Sequence, residues 1–178
     1  MDFDELVKTR RSIKKFKNEQ VSNEDIITII ESARLSPSLK NRQPWKFIAI
    51  KGDKKEFISD LMMDWFNENK NNTTSVNKSA LSIKQASVLI LVFRDSDNTF
   101  ERRDTLSLGA CIGNILLKST ELGIGSKWIA DTWYVKDNIS NYLGINLELY
   151  SAIALGIPDE NLSQKPKKSI EDILSFIE

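Results

Sequence analysis

Residues 88–93 read Val-Leu-Ile-Leu-Val-Phe, six apolar side chains with no polar break. Successive side chains on a strand point to opposite faces, so an uninterrupted run of this length predicts a central strand covered on both sides. A chain built around such a strand needs packing above and below its sheet. The 178 residues suffice for one domain, long enough to bury about 70% of the surface its unfolded form would expose.

The flanking segments offer that cover. Asp4 to Thr9 reads as a short helix. Ser22 with Asp25 makes a capping-box-like start, and Ile26, Ile27, Ile29, Ile30 and Ala33 follow at helical spacing to about Arg34. Trp45 to Ile50 is rich in bulky β-formers and predicts a strand; Gly52-Asp53 then turns the chain into a helix over Lys55 to Glu68. Asn69 to Lys78 is dominated by Asn, Thr and Lys and is expected to be a mobile surface excursion. A long helix is expected from about Asp104 to Leu122. It is apolar around most of its circumference, which predicts an interior position or a subunit contact, and Gly123 stops it. Trp128 to Ala130 reads as a short strand, Val135 to Leu143 as a short helix closed by Gly144, and Tyr150 to Leu155 as the last strand. Ser169 with Asp172 opens a final short helix. No internal repeat or linker is visible, and the order of elements fits an α+β or α/β layered domain.

The absence of any histidine narrows the chemistry. It removes Ser-His-Asp and Cys-His catalysis and every histidine-bearing metal site, so no metal is expected. The single cysteine, Cys111, lies in an apolar helical stretch and reads as a small buried hydrophobe. An enzyme with so few acids, bases and nucleophiles is expected to borrow its reactivity from a bound cofactor. No apolar run approaches the ~20 residues of a membrane span. The opening Met1-Asp2-Phe3-Asp4-Glu5 is too acidic and mixed for a signal peptide, so a cytoplasmic location is the expectation.

Net charge is zero, 25 basic against 25 acidic residues, yet the sign is unevenly spread. Lys8, Arg10, Arg11, Lys14, Lys15 and Lys17 cluster near one end, and Lys165, Lys167 and Lys168 near the other. Within the first cluster, Arg10-Arg11-Ser12-Ile13-Lys14 puts forked guanidiniums, a hydroxyl and an ammonium within reach of one phosphate. The same residues would also suit a solvated basic face or a weak nucleic-acid patch, although only Phe16 offers an interleaved aromatic ring. The loop Pro37-Ser38-Leu39-Lys40-Asn41-Arg42-Gln43-Pro44 can be a plain turn, or can present amides to the edge of a heterocycle. Gly123-Ile124-Gly125-Ser126 follows a helix and lacks G-x-G-x-x-G spacing, so it reads as close backbone packing and not as a dinucleotide loop.

Taken in order, four segments resemble the flavin-dependent nitroreductase family. Arg10 to Phe16 matches its R-R-S-x-R/K-x-F start. Ser36 to Trp45 matches its A-P-S-x-x-N-x-Q-P-W loop, with Ser36 in place of alanine. Asp104 and Asn114, followed by Leu122 to Ile129, match a helix-and-glycine segment. Ala154 to Pro158 and Lys165 to Asp172 match the terminal strand and tail, with Lys167 where arginine is usual. The resemblance implies an α+β, nitroreductase-like three-layer fold: a central mixed or antiparallel sheet flanked by helices, in an intertwined homodimer. It implies FMN at the subunit interface, NADH or NADPH as reductant, a small-molecule electron acceptor, and neither nucleic acid nor membrane as partner. Carried over by position, Arg10, Ser12, Lys165 and Lys167 would hold the phosphate, with Arg11 nearby. Lys14 would stand at the N1–C2 carbonyl edge of the flavin. Pro37, Ser38, Leu39 and Asn41 would reach the ring from the partner subunit, and the backbone around Ile129, Ala130 and Asp131 would face N5 and O4. Nitroaromatics or quinones are the expected acceptors in a ping-pong cycle. Enone reduction, reductive dehalogenation and a non-catalytic flavin-binding or redox-sensing role stand beside that reading.

Overall fold

Four strands, β1 (Trp45–Ile50), β2 (Val88–Arg94), β3 (Gly125–Ile129) and β4 (Glu148–Gly156), form one sheet in the order β1-β2-β4-β3. Every neighbouring pair is antiparallel, so the sheet expected to be mixed or antiparallel is the latter. The computed structural model describes residues 1–69, 75–94 and 98–177.

The apolar run becomes the inner strand β2, buried along its whole length. Its side chains alternate as a pleated strand requires. Leu89, Leu91 and Phe93 enter one apolar cluster and Val88, Ile90 and Val92 the other. The first cluster is closed by α3 (Asp53–Glu68), α4 (Val76–Gln85) and α6 (Lys136–Leu143), through Ile58, Met62, Ala80, Ile83 and Ile139. The second is closed by α2 (Asn23–Arg34) and α5 (Glu101–Glu121), through Ile26, Ile29, Leu108, Ile112 and Ile115. Helices on both faces make the three layers. The short α1 (Phe3–Thr9) lies outside the core and buries none of its side chains.

Local signals set the helix ends. Asp2 accepts from Glu5 N–H at 2.8 Å and Ser22 from Asp25 N–H at 3.0 Å, each occupying an amide that the helix itself leaves unpaired. Gly144, at φ 66°, closes α6 in the left-handed conformation.

Two expectations need correction. The segment read as a surface excursion over 69–78 lies partly outside the described residues, but Val76–Lys78 are the first turn of α4. That helix depends on tertiary partners. The buried Lys55 ammonium donates to the carbonyls of Ile83 (3.0 Å) and Lys84 (2.7 Å) at its C-terminal end, and Ser59 Oγ donates to Ala80 O at 2.8 Å. The final helix expected after Ser169 is a single turn. Ser169 and Asp172 exchange capping bonds, each 3.3 Å long. The helix goes no further because Ile170, Ile173 and Phe176 stay exposed, with no described surface of their own chain to bury them. The apolar girdle of α5 is also only partly covered: Leu106 is 71% exposed.

Candidate functional site

The basic segment after α1 runs across the ends of β3 and β4. Ser12 pairs with Ser126 in a parallel bridge and Ile13 N–H donates to Ser126 O at 3.0 Å. Phe16 bridges Pro158, and Lys17 N–H reaches Ile157 O at 2.9 Å. Ile13 and Phe16 turn inward and are buried, leaving Lys14 and Lys15 outside. Two glycines make room for this crossing. A Cβ at Gly125 would stand 3.1 Å from Ile13, and one at Gly156 only 2.8 Å from the Phe16 ring. The glycine segment therefore has the close-packing role read from its spacing.

Beyond Pro158 the chain doubles back past α1, bringing the two basic clusters together. Arg10, Arg11, Ser12, Lys14, Lys165 and Lys167 all line one cavity of about 340 Å³, and among the described residues no carboxylate lines it. Among the described residues Arg10, Lys14, Lys165 and Lys167 form no ion pair. Arg11 is different. Its Nε donates to Leu162 O at 3.1 Å and its Nη1 to Lys8 O and Arg10 O at 2.6 and 2.8 Å, so it braces the N-terminal segment against the returning chain. Glu160, which sequence reasoning did not single out, accepts from the backbone N–H groups of both Lys14 and Lys15 and fixes the turn of the basic segment. A second cavity of about 370 Å³ lies beyond Arg11 and Leu162. It is lined by Glu160, so the first cavity, with cations and no carboxylate among its described lining residues, is the better anion site despite its smaller volume.

Pro37, Ser38, Leu39 and Asn41 do not line that cavity in their own chain. They lie on a loop holding a 3-10 turn, Leu39–Asn41, with Lys40, Asn41 and Gln43 at φ 49°, 55° and 50°. Left-handed conformations of non-glycine residues cost about 1 kcal/mol each, so the loop needs pins. Asn114 Nδ2 donates to Ser36 Oγ at 2.7 Å, Ser38 Oγ accepts from Gln43 N–H at 3.0 Å, and Arg42 pairs with the fully buried Asp104 at 3.3 Å. The Asp and Asn of the α5 motif thus hold a strained, outward-facing loop in one shape.

Ile129, Ala130 and Asp131 lead from β3 into a 3-10 turn, Asp131–Val135; Ile129 is buried and Ala130 exposed. The Asp131 carboxylate points at α4, accepting from Ser75 Oγ at 2.9 Å and from Ser79 Oγ. Lys127, two residues before Ile129, donates to Lys78 O (3.2 Å), Ser79 Oγ (3.3 Å) and Ser82 Oγ (3.1 Å). Its pKa is pushed down to about 8, chiefly by burial; Asp131 opposes the shift, Lys14 adds to it, and Glu160 opposes it. Burial pushes the Cys111 thiol up to about 12, as befits an inert core side chain. Among the described residues there is no acidic or cysteine cluster able to hold a metal, and no helix long and apolar enough to cross a membrane.

Comparison with known proteins gives this arrangement a lineage. The model of the nitroreductase family matches residues 7–157. A protein of Archaeoglobus fulgidus named as an NADH dehydrogenase/NAD(P)H nitroreductase is 31% identical over 163 residues, covering 87% of this chain and 84% of the relative. An iodotyrosine deiodinase of Thermotoga neapolitana is 26% identical over 184 residues, covering 93% of this chain and 94% of its own. Among solved structures, a BluB-like flavoprotein of Clostridium difficile 630 superposes with a TM-score of 0.82 at 33% identity, all of each chain being covered. A nitroreductase of Desulfovibrio desulfuricans in complex with FMN superposes with a TM-score of 0.81 at 26% identity, covering 97% and 95% of the two chains. The family match, the full-length likeness and the four motifs in register agree: the chain belongs to the nitroreductase family.

Proposed function

We propose that this protein is an FMN-dependent oxidoreductase that draws on NADH or NADPH to reduce an electrophilic small molecule such as a nitroaromatic or a quinone. The observation that carries the reading is the cavity lined by cations from both ends of the chain, with no carboxylate among its described lining residues. A phosphate monoester carries the compensating charge, and the donor set suits it: a forked guanidinium, a short hydroxyl and two ammoniums. Arg10, Ser12, Lys165 and Lys167 would bind the phosphate. Arg11, already committed to backbone oxygens, would act as the brace that keeps Arg10 in place. Lys14, which lines the same cavity and forms no ion pair among the described residues, would offset negative charge at the N1–C2 carbonyl side of the ring, and the backbone of Ile129, Ala130 and Asp131 would face N5 and O4.

When bound, FMN supplies two-electron hydride chemistry that none of the side chains could provide. NAD(P)H and the acceptor would occupy the same place in turn, as in a ping-pong cycle. Pro37, Ser38, Leu39 and Asn41 stand away from their own chain's cavity, which fits their contributing to the site of a second copy. Phe3 (68% exposed), Leu106 and Phe176 (85%) supply apolar surface for such a homodimer. A further reading, reductive dehalogenation by the same site, is favoured by the deiodinase relative.

The test is the visible spectrum of the purified protein before and after anaerobic NADH or NADPH, followed by addition of a nitroaromatic, a quinone or iodotyrosine. The expected result is a flavin spectrum that the nicotinamide bleaches and one of these acceptors restores. A colourless protein that takes up no FMN, or bound flavin that neither nicotinamide reduces, would contradict the reading.

A further inference from the structure

The two edges of the sheet differ. At the β3 edge the N-terminal segment covers the strand: Ser12 bridges Ser126, and Ile13 N–H donates to Ser126 O. At the other edge β1 pairs only with β2 among the described residues, which leaves a row of backbone donors and acceptors facing outward. Beside it lies an apolar groove of about 240 Å³, walled by Ile26, Ile27 and Ile30 of α2, by Phe47 and Ala49 of β1 and by Ile90. The one carboxylate among its described lining residues, Glu31, is paired with Arg34. Ile27 is 68% exposed. The C-terminal tail has the opposite need: Ile170, Ile173, Leu174, Phe176 and Ile177 are all exposed. In an extended chain Leu174 and Phe176 share one face. Charge matches as well. Lys46 on β1 and Lys51 just past it form no ion pair among the described residues, and the tail carries Glu171 and Asp172. The tail's own β1 is far from its root, because Lys165 and Lys167 line the cavity beside Ser12, at the β3 side of the sheet. Three strand spacings, about 14 Å, separate the two edges, with helices covering both faces between them.

We propose that residues 170–177 dock as an added strand on the β1 edge and α2 groove of a second copy, and that a phosphate in the cationic cavity, by fastening Lys165 and Lys167, makes cofactor binding and this docking reinforce one another. The inference rests on the flavin reading and deepens it, because it gives the phosphate a part in assembly. The segment it would fasten is loosely held: among the described residues Ser163 to Lys168 form no hydrogen bond and no ion pair. Ile170 follows Lys167 by three residues, so a phosphate that fixes the lysine also fixes where the apolar tail sets out. A strand added to an exposed edge gains main-chain hydrogen bonds along its length and drops alternate side chains into adjoining pockets. Coupling of this kind is reciprocal: whatever factor the phosphate adds to pairing of the chains, pairing adds to the affinity for the phosphate.

The test is subunit exchange between unlabelled and nitrogen-15-labelled full-length chains, followed by native mass spectrometry in enough urea for the apo wild type to exchange within hours. It is run without ligand, with saturating FMN and with saturating riboflavin, which lacks the phosphate. Exchange is expected to be at least about tenfold slower with FMN than with riboflavin, within the usual range of coupling between sites. Phe176→Glu in the tail and Ile27→Glu in the groove both alter exposed side chains, so the fold should survive. Each should speed exchange of the FMN-loaded protein and lower its FMN affinity. Equal exchange with FMN and riboflavin overturns the inference, and so does either variant exchanging at the wild-type rate with FMN bound. A wild-type chain that binds FMN yet stays single overturns it while leaving the flavin reading intact. A wild-type protein that takes up no FMN brings down both, which separates the two failures.

Discussion

Arg10 and Arg11 adjoin in sequence, yet Arg11 directs N–H groups at the backbone oxygens of Lys8, Arg10 and Leu162, while Arg10 makes no ion pair with any described residue. Their substitutions should therefore separate. Arg10→Ala should weaken FMN binding by the value of a charge-assisted hydrogen bond, about 1.5–3 kcal/mol, with little change in the apo protein's thermal midpoint. Arg11→Ala should lower that midpoint as well as the affinity, since it frees the tail from α1. Fluorescence titration with FMN and thermal scans of the apo proteins make the distinction. Lys14→Met should lower the flavin's midpoint potential while keeping the fold, because it removes positive charge without touching the core; dye-coupled titration at pH 7 reads it. The cations and hydroxyl that line one cavity were legible in the sequence as a candidate set because charge and hydroxyls are properties of residue types. Arg11's bracing role, Glu160 and Lys127 were not, because each depends on which backbone or side chain the fold brings opposite.

At the scale of elements, α5 both packs against the sheet and pins the 36–45 loop through Asp104 and Asn114. Asp104→Asn leaves the Arg42 guanidinium without its buried counter-charge. It should cost about 3 kcal/mol in chemical denaturation and let the loop leave its left-handed conformations. Gly156→Ala pushes a Cβ to 2.8 Å from Phe16, so the N-terminal segment must shift. A destabilisation of about 1–3 kcal/mol is expected, together with weaker FMN binding. Equal stability and equal affinity would show that the crossing is not held tightly. The strands Trp45–Ile50 and Val88–Arg94 were readable because apolar runs of that length have one good place in a sheet. The start of α4 was misread because its polar sequence is anchored from outside the helix: Asp131 accepts from Ser75 and Ser79, Lys127 donates to Lys78 O, and Val76 is fully buried. The tail helix was over-read because a capping pair is local, whereas a helix also needs a surface to bury against.

The whole molecule leaves apolar side chains uncovered on α1, α5 and the tail, and its strained loop does not line its own cationic cavity. Both features fit a pair of chains in which each completes the other's site. Light scattering on the purified protein should give the mass of two chains, about twice 20.3 kDa; Leu106→Glu should shift it toward one chain and reduce FMN retention with it. The doubly buried strand was readable from the residues and the three-layer arrangement came with the family resemblance, but which apolar side chains stay exposed could not be read from patterning, since an exposed leucine looks the same as a buried one. The account turns on a phosphate held between the two ends of the chain. Titration of the apo protein with FMN and, in parallel, with riboflavin isolates that group. The account predicts that removing the phosphate weakens binding at least ~100-fold, the equivalent of two charge-assisted bonds. Equal affinities for the two flavins would contradict it.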